Sequence, residues 1–533
     1  VLAGIAIFIF LVSRHADLKI ERNKNRELIA INETEIAVLN RDFKSLPAGD
    51  EFQDQLHPYS QDIDLFGKAS FFQYLNRTSL AEGRKKLADL LLSNDINSIS
   101  EKQETVKELA GKADWRQNFS ALANMVKAET PSTVIIKWLE GYKTFVPKVM
   151  KWLPWVFSGL SLLIISGYFF DLVSALQLLL WFFIGLTITG VYIKKINILS
   201  EDVGRVQETF QQYYRLLGHI EITDFESETL KQKKEQLISG NRRASVVLKE
   251  FSKAIDALDQ RNNMLFGIFG NGFLLWDLRQ SLKLETWISA HGMEVEKWFR
   301  IIEFIDSQNS LGNFAFNHPS YSFPVLKEND MVLETTELAH PLLDPKKRIS
   351  NDFNIEKEQF FIITGANMAG KSTFLRTVSL SILMANCGLP VCAGTCSYSP
   401  IRLITSMRTT DSLSNDESYF FSELKRLKYI VDQIKTQKYF IILDEILKGT
   451  NSTDKAIGSR KFIEKLVRSQ STGIIATHDL SLCEVAREQP KVKNYFFDAE
   501  IINDELNFDY QFKKGICKNM NASFLLKKME IVD

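Results

Sequence analysis

Between residues 150 and 195 the chain almost loses its charges. Residues 152–170 (WLPWVFSGLSLLIISGYFF) and 172–193 (LVSALQLLLWFFIGLTITGVYI) hold no Asp, Glu, Lys or Arg, and only Asp171 stands between them. A helix needs about 20 apolar residues to cross a hydrocarbon layer of roughly 30 Å, and both runs supply them. Trp152, Trp155, Tyr168 and Tyr192 lie near the ends, where amphipathic rings favour the interface. The pattern predicts a transmembrane helical hairpin over 152–193; the alternative is a hairpin buried in a large soluble core. Lys148 and Lys151 before the pair, and Lys194 and Lys195 after it, place both flanks in the cytoplasm by the positive-inside rule. A third uncharged run, residues 1–13, is closed by Arg14 and Lys19 and is too short to cross. It reads as a partial transmembrane helix, the cytoplasmic end of a longer one.

The remaining pattern divides in two. Residues 14–56 are polar and charge-rich and predict a helical connector, with a break at Leu46-Pro47-Ala48-Gly49. Over 57–151 and again over 194–329 apolar residues recur at spacings of three and four, as in VVLKEFSKAIDAL (246–258), which predicts helices. From about residue 330 short β-rich runs alternate with helical ones. FFIIT (360–364), YFIIL (439–443) and GIIAT (473–477) are apolar at nearly every position. Strands of that kind are buried on both faces, so a parallel sheet covered by helices is expected.

Composition narrows the classes of function. A chain of 533 residues with 45% apolar and 24% charged residues has room for three to four domains with real cores. Lys+Arg and Asp+Glu are 65 each, so no bulk positive charge is available to coat a nucleic acid, and any DNA contact must be local. The five cysteines, all beyond residue 386, are too few for a disulfide framework.

Directly after FFIIT comes Gly365-Ala366-Asn367-Met368-Ala369-Gly370-Lys371-Ser372-Thr373, followed by the helical FLRTVSLSILMAN. A glycine-rich turn between a strand and a helix lets successive backbone N–H groups point at phosphate oxygens. Lys371 then reaches the β and γ phosphates and the Ser372 hydroxyl can ligate Mg²⁺. The second apolar strand ends in Asp444-Glu445. Asp444 suits the Mg²⁺ shell, and Glu445 is placed to take a proton from attacking water. The third strand delivers Thr477-His478-Asp479 at the sheet edge where ligands of open α/β sheets bind. In that company His478 is assigned to the γ-phosphate.

Taken together these residues resemble the ATPase domain of the MutS mismatch-repair family, from about residue 57 to the C-terminus. TGANMAGKSTFLR is similar to that family's phosphate loop, which holds the Asn-Met pair absent from ordinary loops. HPLL (340–343) and Asn351-Asp352 resemble the segment beside the adenine. GLPVCA (388–393) resembles the following strand, and MRTTD with ESYFFSE (407–411, 417–423) the signature helix. LDEILKGTNST (443–453), ATHD (476–479) and GICKNMNASFLLKKM (515–529) complete the series, and SFFQYLNRTSLAEGRKKLADLL (70–91) with KQETVKEL (102–109) resembles the start of the core domain. Ala366 and Ala369 depart from the loop's usual Pro and Gly, and Tyr439, Leu447 and Lys455 from the Walker-B signature. None of the five removes a phosphate or metal ligand.

The resemblance implies an α/β P-loop ATPase domain of the ABC type over 330–533, preceded by an all-α core and lever region, to which the uncharged runs add transmembrane helices. It implies MgATP hydrolysis at the interface of a homodimer, with Ser418 reaching the γ-phosphate of the opposite subunit. It also implies DNA as a partner, although too few residues separate Arg14 from His57 for the family's mismatch-reading domain, and those after Gly515 leave no room for an added module. Because the hairpin falls where the family's DNA clamp is expected, the other expectation is an ATPase that remodels or signals at a membrane, with lipid as its partner and no DNA. Three signals are set aside. Cys387, Cys392 and Cys396 lack a fourth zinc-like ligand. Gly267-Ile-Phe-Gly270-Asn-Gly272 lacks a preceding strand and reads as helix packing through small residues. Trp276, Trp287 and Trp298 recur near one helical face and read as core.

Overall fold

A computed structural model of the chain describes residues 2–125, 130–239, 241–328, 330–366, 368–408, 419–448, 450–502 and 505–517. The chain divides into two compact units. One comprises Val1–Glu33, Thr78–Arg84 and Asp114–Ser307; the other comprises Thr34–Arg77, Lys85–Ala113 and Gln308–Asp533. We call them the helical and the sheet-bearing unit. The opening helix α1 (Leu2–Leu39) is a single element that starts in the first and ends in the second.

In the helical unit the apolar runs become α2 (Leu153–Phe169) and α3 (Ala175–Gly190), followed by α4 (Ile193–Glu221). Both hairpin helices are shorter than the uncharged runs that encode them. Pro154 sets the start of α2, and Asp171, in the left-handed region at φ 56°, ends it. Ser174 and Gln177 then form a capping box that restarts the chain as α3. At 17 and 16 residues the helices are about 24–26 Å long at 1.5 Å per residue. This corrects the expected transmembrane spans: among the described residues no single helix is long and apolar enough to cross a membrane, and α3 with α4 qualifies only as a pair bent by 63°. The two helices pair through Phe157 and Trp181, stacked at 4.5 Å, and Trp181 Nε1 donates to Ser161 Oγ at 2.8 Å.

Next come α5 (Ala244–Asp259), α6 (Met264–Leu274) and α7 (Trp276–Asn317). Val247, Leu248, Phe251, Ile255 and Leu258 of α5 are buried at the three-and-four spacing read from the sequence. Phe251 stacks on Trp287 at 4.1 Å and meets Phe210 at 4.7 Å, so α4, α5 and α7 share one aromatic core. Trp287 and Trp298 are buried, as expected of the tryptophan series, whereas Trp276 is only half-buried. The glycine-rich stretch 267–272 is indeed helical. A Cβ on Gly185 would lie 2.2 Å from the Gly272 carbonyl oxygen, so only glycine lets α3 and α6 come so close. A two-residue ribbon, Ile238–Ser239 with Arg242–Arg243, is a small departure from the expected all-α region.

Among the described residues the sheet-bearing unit has two large sheets and a two-stranded ribbon, Glu500–Ile502 with Glu505–Asn507. Strands β1 (Val325–Leu326), β2 (Met331–Leu338), β3 (Asn351–Glu356) and β5 (Thr395–Tyr398) form one, in the order β1-β5-β2-β3. Residues 388–393, expected as a strand, contribute only an isolated bridge at Val391, and the strand begins at Thr395. The second sheet is built on β4 (Phe360–Gly365), with β6 (Arg402–Ser406), β7 (Tyr439–Asp444), β8 (Thr472–Ala476), β9 (Val492–Phe497) and β10 (Lys513–Lys514), in the order β10-β9-β4-β8-β7-β6. All neighbours are parallel except β9 and β10. Every residue of β4 and β8 is buried, which is what their uninterrupted apolar sequence demands. Register decides the rest: Ala476 pairs with both Ile363 and Asp444, so β4, β7 and β8 end at one edge.

Candidate active site

At that edge the chain leaves β4 through Gly365 and enters α8 (Lys371–Asn386) through Gly370, whose φ of 98° is open to glycine and strained for other residues. The first amides of α8 therefore face outward without helical partners, the arrangement that receives anions. Lys371 folds its ammonium over the loop and donates to the carbonyls of Gly365 at 2.8 Å and Ala366 at 2.9 Å. Burial lowers its pKa, and the nearby Glu445 and Asp444 carboxylates act against that. Ala369 is fully buried beneath the loop, while Met368, Ser372 and Thr373 face a cavity of about 480 Å³. Asn367 lies outside the described residues, as does Ser418 ahead of α9 (Tyr419–Gln433).

Ser372 Oγ donates to Asp444 Oδ2 at 2.6 Å. The expected metal pair is thus brought together, two oxygens of the kind Mg²⁺ selects. Burial raises the Asp444 pKa and the Ser372 hydroxyl opposes it. Glu445, with a left-handed φ of 51°, donates its amide to Ala476 O, and its carboxylate Oε1 lies 2.7 Å from His478 Nε2. The same nitrogen lies 3.4 Å from Lys371 Nζ. One ring nitrogen cannot both donate to the carboxylate and accept from the ammonium, and the shorter contact decides: Nε2 carries the hydrogen toward Glu445. The hydrogen bond from His478, more than any other influence, holds the Glu445 carboxyl down at about 2.

The far wall of the cavity comes from His340, Leu343, Lys347, Arg348, Asn351 and Tyr510. Asn351, expected beside the adenine, acts as a clamp: its side chain accepts from Phe512 N at 2.7 Å and donates to Tyr510 O at 3.0 Å. This holds the Tyr510 ring against the phosphate loop, where a Cβ on Gly370 would be 3.0 Å from it. Tyr510, Lys347 and Arg348 were not found from sequence, because no local pattern ties them to the loop. Glu423 of α9 is another such residue. Buried, it accepts from the amides of Leu447 at 2.5 Å and Lys448 at 3.1 Å, so α9 is tied to the turn that presents Glu445. Leu447, where a small residue was expected, fits because it faces Gly458 of α10 (Ser452–Arg468). All five cysteines are buried free thiols.

A family model for MutS domain V matches residues 361–529, the stretch that holds β4, the loop, α8, β7 and β8. The DNA mismatch repair protein MutS of Desulfatibacillum aliphaticivorans is 28% identical over 319 residues, 57% of this chain and 34% of that protein. MutS protein homolog 4 of Saccharomyces cerevisiae is 27% identical over 44% of this chain and 27% of its own length. MutS protein homolog 4 of Homo sapiens is 31% identical over 36% of this chain and 21% of its own length. The chain spans about a third or less of the length of these relatives. Residues 361–529 thus match the MutS domain V family, and the relatives that the chain resembles carry MutS names.

Proposed function

We propose that the chain binds MgATP in the cavity between the β4–α8 loop and Tyr510, and hydrolyses it when a second copy of the sheet-bearing unit completes the site. One observation carries this reading: Lys371, the Ser372–Asp444 pair and the Glu445–His478 pair converge at one edge of three registered strands. Gly365 to Thr373 bind the phosphates through backbone amides, and the Tyr510 ring receives the adenine. Ser372 and Asp444 would hold Mg²⁺, which when bound neutralises charge on the β and γ oxygens. Lys371 turns its ammonium from the loop carbonyls to the phosphates. His478 transfers its Nε2–H from Glu445 to a γ oxygen, and the released carboxylate accepts the proton of the attacking water. Asn367 and Ser418 keep the roles that kinship implies, on the phosphates and across the dimer.

The load has two candidates. Kinship to proteins named for DNA mismatch repair brings a DNA duplex. The surface of the helical unit brings a lipid bilayer: Leu163 is 67% exposed, Phe169 78%, Phe170 77% and Leu172 82%. Apolar exposure on that scale marks an interaction site, and we take the bilayer as the load. On this reading α2 and α3, too short to cross singly, sink their exposed apolar side chains into the bilayer from one side and leave the flanking lysines at the headgroups. Lys148, Lys151, Lys194 and Lys195 flank the pair, and the positive-inside rule supports a cytoplasmic ATPase in this reading. The test is ATP turnover of the full chain with vesicles, with matched duplex and with mismatched duplex. Stimulation by vesicles alone is expected; stimulation by mismatched duplex alone overturns the membrane load, and no turnover under any condition overturns the ATPase reading.

A further inference from the structure

The helical unit contains a second cavity, of about 540 Å³, within the size range of small-molecule sites. It opens where α2 begins, and its wall carries Lys151, Arg242, Arg279 and Lys283 against a single carboxylate, Glu250. Arg242 pairs with Glu250, so the carboxylate is already used. Among the described residues Lys151, Arg279 and Lys283 meet no other acid, in a chain whose net charge is zero. The Arg279 guanidinium lies over the Trp155 ring at 3.8 Å. That stacking fixes the plane of the guanidinium and leaves its N–H edges able to donate.

The surroundings decide what the cations are for. Trp155 in the wall is 62% exposed, its neighbours in the chain Trp152 and Val156 are 56% and 48% exposed, and the exposed apolar side chains of α2 continue from there. We infer that this cavity binds the phosphate-bearing headgroup of an anionic phospholipid whose acyl chains lie along α2. A free phosphate would satisfy the cations and leave the apolar rim in water. A nucleic-acid backbone would do the same and bring further charge against Trp155 and the apolar start of α2. A lipid satisfies both features with one molecule, and basic pockets at the cytoplasmic end of membrane helices recognise such headgroups. The inference rests on the membrane reading of α2 and α3.

The full chain, purified in neutral detergent, is diluted into vesicles of phosphatidylcholine or of phosphatidylcholine partly replaced by phosphatidylglycerol, and bound fractions are read by flotation. Binding to both is expected, tighter to the anionic vesicles. Arg279→Gln and Lys283→Gln should each reduce the anionic preference about five-fold, with phosphatidylcholine binding and ATP turnover unchanged. Lys297→Gln, exposed on the same helix outside the cavity, should keep the preference. Equal losses from Lys283→Gln and Lys297→Gln, or none from either, would overturn the site. Inorganic phosphate or duplex DNA that abolishes the preference at matched ionic strength would overturn the lipid assignment in favour of that anion. Flotation without anionic preference defeats the cavity alone, whereas no flotation with any vesicle defeats the membrane reading with it.

Discussion

Strand β4 and helix α2 are both apolar along almost their whole length, and they end in opposite surroundings. Each residue of Phe360–Gly365 is buried, because strands β8 and β9 flank it and helices of the same unit cover its faces. In α2 and α3 the large side chains of Leu162, Leu163, Leu179 and Leu180 are 67%, 67%, 52% and 55% exposed. Polar groups show the reverse. At the sheet edge they sit in an open cavity and meet one another, while in the helical unit Asp306 and Glu285 are almost wholly buried. An apolar run therefore states only that water is unwelcome. Whether protein or another phase replaces the water depends on what else the chain folds against that run.

The sheet side of the comparison breaks most easily. Lys371→Ala removes the cation from a buried site and should weaken MgATP binding by at least about 100-fold in calorimetry. Glu445→Ala should keep that affinity and lose roughly 100- to 1,000-fold in phosphate release, the usual weight of a positioned base. Undiminished turnover in Glu445→Ala would remove the base from this edge. On the helical side, replacing Leu162, Leu163, Leu179 and Leu180 together by Gln should abolish vesicle flotation. Because these residues are exposed, ATP turnover in the absence of lipid should stay within about two-fold and thermal stability should change little. A variant that instead fails to fold would show that these side chains are core.

A smaller effect is expected where the apolar helices meet. Gly185→Val would drive methyl groups into the Gly272 backbone and should cost about 1–3 kcal/mol in urea unfolding. No loss would mean that α3 and α6 are not held in contact.

Much of this was legible beforehand, and unevenly so. Strands 360–364, 439–443 and 473–477 could be read because doubly buried strands need no polar positions, and each lies within a residue or so of its predicted bounds. The order of loop, Asp444-Glu445 and His478 was enough to gather one site. Helix length in the hairpin was not legible from hydropathy. It is set by Pro154, by the left-handed Asp171 and by the Ser174–Gln177 cap, which cut runs that hydropathy joins. Tyr510 and Glu423 were hidden for a different reason. Their work depends on Asn351 and on the amides of Leu447 and Lys448, contacts between segments far apart in sequence.

The finest distinction between the two regions is their response to acid. Burial, helped by the Arg376 cation, lowers the His340 pKa from 6.5 to about 4 in the sheet-bearing unit. Between those values the unfolded chain binds a proton that the folded unit refuses, so stability falls as pH drops from about 6.5 to about 4. Burial raises the Asp306 pKa from 3.8 to about 7 in the helical unit. There the folded unit holds the extra proton, so stability falls as pH rises from about 4 to about 7. Each group contributes a slope of at most about 1.4 kcal/mol per pH unit. His57 and His318, also lowered by burial, add to the first trend, and His219 opposes the second. The chain supplies its own reporters: all 8 tryptophans lie in the helical unit and all 5 cysteines in the sheet-bearing one. In urea titrations at pH 5 and pH 7, tryptophan fluorescence and thiol exposure should therefore separate, with acid weakening the unit read by cysteine and strengthening the unit read by tryptophan. His340→Gln should flatten only the thiol response and Asp306→Asn only the fluorescence response. A common shift of both probes, unchanged by either substitution, would mean that the two units do not titrate as separate bodies.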